Sequence, residues 1–380
     1  MSTLRWLESA VVASVVCAAS AVCAEVPAKP PQGTGALPAG RTALDVSRDV
    51  TAFYRFVDAL DLSDPRYRLT TRHGGGTSCY VTVVDAHGHE ADRPLPVWGA
   101  VISEHCGTNI YSEEFAFTLA TLLGVPEIEG VGRLMKLTGA AKARFVRLVG
   151  GDDYRRDNKY RQENVADFRA FTALHADPKE PLMAIARVWG PRPRAADFLL
   201  RGEELDFAHP IARFLNAEGP QPTIAPIALP GIAGKASARA LARQLSTIFV
   251  IDALESQRDR FTGENIQVIQ LPNSGTPPRV QFVAYDNGDA FEDPDARWVK
   301  AYFRRVTRFD RRVAEKLGEL HAFLTGERPE FAGFRSEAAL IVALGVSGQA
   351  ELWATFRRNL GLVVGHIAAV KGDKYFADGD

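Results

Sequence analysis

Apolar residues recur at helical spacing in some stretches of this chain and alternate with polar ones in others. Over residues 237–254, Leu241, Leu245, Ile248 and Phe249 fall on one face at helical spacing, which predicts a helix. Residues 265–271 and 279–285 alternate instead, predicting two strands joined by the turn-rich segment 272–278. Nearer the N-terminus, residues 67–72, 78–84 and 95–102 read as three strands, the second from its β-branched and aromatic content. Residues 111–124 predict a helix whose buried face is Phe115, Leu119, Leu122 and Leu123, with Ser112 as N-cap and Gly124 as the stop. A further strand is expected over 181–189 and a further helix over 298–317. That helix carries Lys300, Arg304, Arg305, Arg308, Arg311, Arg312 and Lys316, which read as a solvated basic face.

The polar residues set between these elements suggest chemistry. Asp259 and Asn265 lie six positions apart after the predicted helix, and Asp286-Asn287-Gly288 follows the second strand of the hairpin. Phosphoryl transfer uses such a set. One carboxylate orients or deprotonates the attacking hydroxyl, while an amide and a second carboxylate hold the magnesium ions that neutralise phosphate charge. A plain polar loop and a common Asp-Asn-Gly turn would present the same residues.

Helix, loop, hairpin and second aspartate follow one another as in a kinase C-lobe. Here the chain resembles the protein-kinase-like superfamily. The branch in question holds phosphatidylinositol 3- and 4-kinases, secretory-pathway kinases acting on casein-type substrates, and HipA-type kinases. Its members carry D-x-L-x-x-N-x-D-R followed by D-N-G or D-x-G. Asp252, Leu254, Asp259 and Arg260 match this pattern, Gln257 replaces the usual Asn, and the Asp259-to-Asn265 spacing is one residue longer than is common.

The resemblance implies an α+β, two-lobed protein-kinase-like fold with a β-rich N-lobe and a mainly helical C-lobe. It also implies ATP with Mg (or Mn) as cofactors, Asp259 as a catalytic residue, and Asn265 and Asp286 as metal ligands. Gly74, Gly75 and Gly76 would cover the nucleotide phosphates with backbone N–H groups, although glycine also serves any hairpin turn. Glu113 matches the family glutamate that normally pairs with a strand lysine, with Glu114 as the fallback. Both acids would also suit the positive end of a helix dipole.

The lysine itself is missing, since none occurs between Lys29 and Lys136. Either a cation such as Arg72, Lys136 or Arg93 replaces it, or the nucleotide site is altered, or the protein is a pseudokinase acting as a nucleotide- or protein-binding module.

Composition adds the frame. With 380 residues and 46% hydrophobic content the chain can bury a large core, and a formal net charge of −1 gives no sign of a nucleic-acid partner. Arg5, the small apolar run 10–21 and the Ala21-Val22-Cys23-Ala24 end read as a signal peptide over 1–24. The organisation expected is then a Pro/Gly-rich linker at 25–42, an N-lobe at 43–147 and a C-lobe at 148–380. No transmembrane segment is expected after signal cleavage. The destination is the periplasm, the exterior or a secretory-pathway lumen, and the substrate is an unidentified hydroxyl-bearing protein, lipid or small molecule.

Export leaves Cys79 and Cys106 as an even pair, which a disulfide or two buried thiols would accommodate. His87, His89 and Glu90 read as a solvated turn, and the glycines of 231–237 fail the Walker spacing.

Overall fold

The three strands expected near the N-terminus are formed as β1 (Tyr67–Thr70), β2 (Ser78–Val83) and β3 (Leu95–Gly99), which pair in sequence as an antiparallel meander. A computed structural model describes residues 54–55, 57–65, 67–70, 78–83, 95–99, 110–128, 131–150, 172–173, 175–177, 179–188, 196–201, 204–257, 260, 265–271, 278–288, 290–291 and 302–376. All of them belong to one compact unit, 37–380.

Helix α1 (Ile110–Leu123) comes next, then β4 (Val131–Leu137), α2 (Gly139–Gly150) and β5 (Leu182–Val188). The sheet order is β1-β2-β3-β5-β4, antiparallel throughout. β5 therefore completes this sheet from beyond residue 148, where the sequence places the start of the C-lobe. Buried Lys142 of α2 donates its ammonium to the carbonyls of Asp177 and Glu180, tying α2 to the approach of β5.

Helix α1 lies against β4, where Gly132 leaves room for the Ile185 side chain of β5. A Cβ there would sit 2.7 Å from Ile185 Cδ1 and 3.7 Å from the Glu114 backbone nitrogen. The helix ends at Gly124, whose φ of +75° lies in the left-handed region that favours glycine. Its start differs from expectation. The helix begins at Ile110, so Ser112 is inside the first turn rather than at the N-cap.

After the short pairs β6 (Leu200–Arg201) with β7 (Glu204–Leu205) and β8 (Ile227–Ala228) with β9 (Lys235–Ala236), the chain is mainly helical. Helix α3 (Pro210–Asn216) separates those pairs, and α4 (Ala238–Glu255) follows them. Ser237 caps α4 by accepting from the Ala240 N–H at 3.2 Å. Every residue from Leu245 to Glu255 is buried, so α4 passes through the core rather than over it. The hairpin β10 (Ile266–Gln270) and β11 (Val280–Ala284) pairs antiparallel beside it.

Helices α5 (Arg311–Leu324), α6 (Glu337–Ala343) and α7 (Ala350–Ala369) complete the fold. One apolar core joins α1, α4, α5, α7 and the hairpin, including Phe115, Leu119, Leu245, Ile248, Phe282, Leu317 and Phe356. Among the described residues, no helix is long and apolar enough to cross a membrane.

The single basic helix expected over 298–317 is not formed. Among the described residues the chain turns at 304–305, and α5 starts only at Arg311, behind Asp310. The Asp310 carboxylate accepts from the N–H groups of Arg312 and Val313 at 2.8 and 3.2 Å, a cap that favours starting a helix there. Arg308, read as solvated, is buried. Its guanidinium donates to the carbonyls of Phe214, Ala217, Gly219, Pro220 and Asp373 at 2.8–3.3 Å. Lys316 also leaves the solvated set, donating to the Leu122 carbonyl at 2.9 Å and so closing the C-terminus of α1.

Candidate functional site

Helix α4 stops at Ser256, which adopts a left-handed φ of +55°, and the following loop carries Gln257 and Arg260. Arg260 is fully buried and uses its whole fork. Nε and Nη2 donate to Asp252 Oδ1 at 3.0 and 2.8 Å, on the last turns of α4. Nη1 donates to the carbonyls of Asn265 and Tyr285 at 3.2 and 2.8 Å, and Nη2 also reaches Asn287 Oδ1 at 2.7 Å. One guanidinium thus binds the end of α4, the start of β10 and the turn after β11. A lysine could not reproduce this, because its ammonium is a point charge without a planar fork.

The turn after β11 is held in an uncommon backbone state. Asp286 has φ +56° and Phe291 has φ +64°, in the left-handed region. Asp286 is half-buried, whereas Asn265 and Asn287 are buried. The Phe291 N–H donates to the Glu255 carbonyl at 2.7 Å, closing the C-terminus of α4. Its ring meets Phe115 of α1 edge-on at 5.4 Å, and Phe115 in turn meets Phe356 of α7 at 5.0 Å. From α7, Asn359 Nδ2 donates to Leu254 O and Ser256 Oγ, fixing the helix end from behind.

Acids crowd this region. Glu113, Asp252 and Glu255 are all buried, with Arg260 as the cation among them. Burial raises the Asp252 carboxyl above its ordinary value despite the opposing pull of Arg260. Glu255 is pushed well above its ordinary value, first by burial, then by Asp252 and Glu113, against Arg260. Neither Glu255 carboxyl oxygen has a hydrogen-bond partner among the described residues. A buried carboxyl so placed favours the protonated form.

The second glutamate of α1 plays a different part. Glu114 Oε2 accepts the Leu134 N–H of β4 at 2.8 Å, and Oε1 meets Arg133 Nη1 at 3.4 Å. β4 is an edge strand, so Glu114 occupies a backbone donor that the sheet leaves open. Arg133 continues to Asp58 at 3.0 Å. The cation beside Glu114 is therefore Arg133, not Lys136, which is exposed on the same strand. Arg72 and Arg93 lie outside the described residues.

Of the residues singled out from the sequence, Asn265 bonds Arg260 through its carbonyl, Glu113 lies within electrostatic reach of that guanidinium, and Asp286 sits between Tyr285 and Asn287, which both bond Arg260. Asp259, Gly74, Gly75, Gly76 and Cys106 lie outside the described residues, as does the side chain of Cys79. Gln257 and Arg260, on either side of Asp259 in sequence, both bond to the 285–287 turn. The sequence reading missed two contacts to that turn, from Ser112 and from the Gln257 amide. It also missed Glu255, whose signal was an acid three residues after Asp252 on an otherwise apolar helix face.

The donors suit a hard cation. Asp286 and Asn265 supply oxygen, the ligand type that magnesium and manganese take. Among the described residues no group of three or more His, Cys, Asp or Glu side chains is placed to hold a metal ion.

No protein-family model matches the chain, and no curated protein does. Among solved structures it is similar to the crystal structure of the Golgi casein kinase with Mn/ADP bound. Identity is 10%, covering 88% of this chain and 81% of that one, with a TM-score of 0.47. A second crystal structure of the Golgi casein kinase aligns at 11% identity, 87% and 80% coverage and a TM-score of 0.46.

Proposed function

We propose that the chain is an exported kinase-like phosphotransferase that uses ATP with magnesium or manganese on a hydroxyl-bearing protein, lipid or small molecule. The observation that carries this reading is the Arg260 fork, which ties together the three segments bearing the Asp252 motif, Asn265 and the Asp286 turn. In this reading Asp286 and Asn265 hold the metal, which offsets charge on the phosphates when bound. Asp259 takes the proton of the substrate hydroxyl as its oxygen bonds to the γ-phosphorus, and the bond to the β-phosphate oxygen breaks to release ADP. Glu113, next to Ser112 on α1, takes the part of the family glutamate in this reading, and Gly74–Gly76 would cover the phosphates.

A pseudokinase is the second reading. It is favoured by the absence of any lysine between Lys29 and Lys136.

Transfer or hydrolysis of γ-labelled ATP with magnesium or manganese separates the two. Asp259→Ala should lower turnover by about two to four orders of magnitude with the fold intact, as for loss of a general base. Asp286→Ala should lose metal binding as well. Full activity in either variant removes that residue from the mechanism, and an inactive wild type that still binds nucleotide selects the pseudokinase.

A further inference from the structure

Three consecutive backbone carbonyls in the turn after β11 each accept a side-chain donor from a different place in the chain. Tyr285 O takes Arg260 Nη1 at 2.8 Å, Asp286 O takes Gln257 Nε2 at 3.1 Å, and Asn287 O takes Ser112 Oγ at 2.7 Å. The donors come from the loop before β10, from the residues just after α4 and from α1. All three donor residues are fully buried, so water does not substitute for them without rearrangement.

Between these anchors Asp286 holds a φ of +56°, a conformation that costs an L-residue about 1 kcal/mol or more and persists only where its surroundings impose it. The position and direction of the Asp286 Cα–Cβ bond follow from that backbone. Clamping the carbonyls of 285, 286 and 287 therefore fixes the backbone from which the carboxylate projects.

We propose that Ser112 and Gln257 are positioning residues that hold Asp286 in its metal-binding orientation. The inference rests on the phosphotransferase reading and deepens it. Ser112 is the residue next to Glu113 on α1, so its hydroxyl links the placement of that helix to the turn. A shift of α1 along its axis by even one residue's rise, about 1.5 Å, breaks a 2.7 Å hydrogen bond. Gln257 has an arm long enough to reach Asp286 O from the end of α4. Neither residue is assigned a contact with metal or substrate. Both act through the backbone of Asp286.

The test is Mn²⁺ binding in the presence of ADP, followed by electron paramagnetic resonance of free Mn²⁺. Ser112→Ala and Gln257→Met should each weaken Mn²⁺ binding by about tenfold, the size of effect seen when an outer partner of a metal ligand is lost. Ser112→Thr, which keeps the hydroxyl, should restore most of it.

Ser246→Ala is the control for a purely structural effect. Its buried hydroxyl donates to the Arg308 carbonyl at 2.7 Å, an equivalent bond in another part of the core. It should lose comparable stability to urea with unchanged Mn²⁺ affinity. Wild-type binding retained by both positioning variants overturns this inference alone, as does equal weakening in the Ser246 control. Absence of Mn²⁺ binding by the wild type overturns the phosphotransferase reading and this inference with it.

Discussion

Arg260→Met is expected to destabilise the folded chain by about 3–5 kcal/mol, the range for removing one partner of a buried ion pair. The side chain is fully buried, and its substitution leaves Asp252 as a carboxylate 2% exposed with its cation gone. Burial already pushes Asp252 above its ordinary value, with Arg260 as the opposing influence. Without the guanidinium that carboxyl will be protonated at higher pH still. The carbonyls of Asn265 and Tyr285 and the Asn287 amide oxygen also lose a donor. Urea denaturation measures the effect.

A second variant separates the charge from the clamp. Asp252→Leu with Arg260→Met should recover much of the stability, because a buried pair replaced by apolar groups is often neutral. Nucleotide-metal binding should stay lost, because the three segments are no longer tied. A loss of stability below about 1 kcal/mol in Arg260→Met would place this arginine among ordinary hydrogen bonds and not at the centre of the site.

Glu127→Gln is expected to stabilise the protein above pH 7 and to change little below pH 4.5. Glu127 lies in the segment joining α1 to β4. Its carbonyl accepts the Ala284 N–H at 2.7 Å, and Ile128 bridges Ala284, so this segment flanks β11 just before the Asp286 turn. Its carboxyl is 7% exposed and its pKa is raised from 4.5 to about 7. Burial is the main cause, with Asp310 adding and Thr247 and Arg243 opposing.

The neighbouring hydroxyl bonds this carboxyl. Thr247 Oγ1 is 2.7 Å from the Gln244 carbonyl and 3.1 Å from Glu127 Oε2. The threonine hydroxyl can donate to either acceptor, and its bond to the carboxylate is one of the influences that oppose the raised pKa without outweighing burial.

Because the folded state holds this proton more tightly than the unfolded chain, the stability it contributes is fully present below pH 4.5. It is lost as pH rises through about 7, a difference of about 3 kcal/mol. Glutamine keeps the neutral donor at every pH. Denaturant midpoints of the two proteins should coincide near pH 4.5 and separate as pH rises to 8. Parallel curves across that range would contradict a raised Glu127.

Much of this architecture was legible because it rests on local signals. The α4 helix begins after Ser237 and ends one residue beyond the expected Leu254, since its cap and its spacing of Leu241, Leu245 and Ile248 are sequence-local. The β10–β11 hairpin follows its alternation in the same way. What was not legible depends on distant partners. Ser112 has the composition of an N-cap, but its hydroxyl goes to Asn287, 175 residues away. Arg308 sits in a run of cations that reads as solvated, and only the fold brings carbonyls from residues 214–220 and 373 around it. The partner of Glu114 was sought in Arg72, Lys136 and Arg93, yet β4 places Arg133 there because that residue, not Lys136, is within reach of the acid.

The most direct measurement of the central claim is calorimetric titration of ATP into the wild-type chain and into Asp286→Ala, with manganese and with chelator. A working metal-nucleotide site predicts saturable binding by the wild type with manganese, marked weakening with chelator, and loss in the variant. Failure of the wild type to bind ATP with manganese, or equal binding in all conditions, would contradict the account.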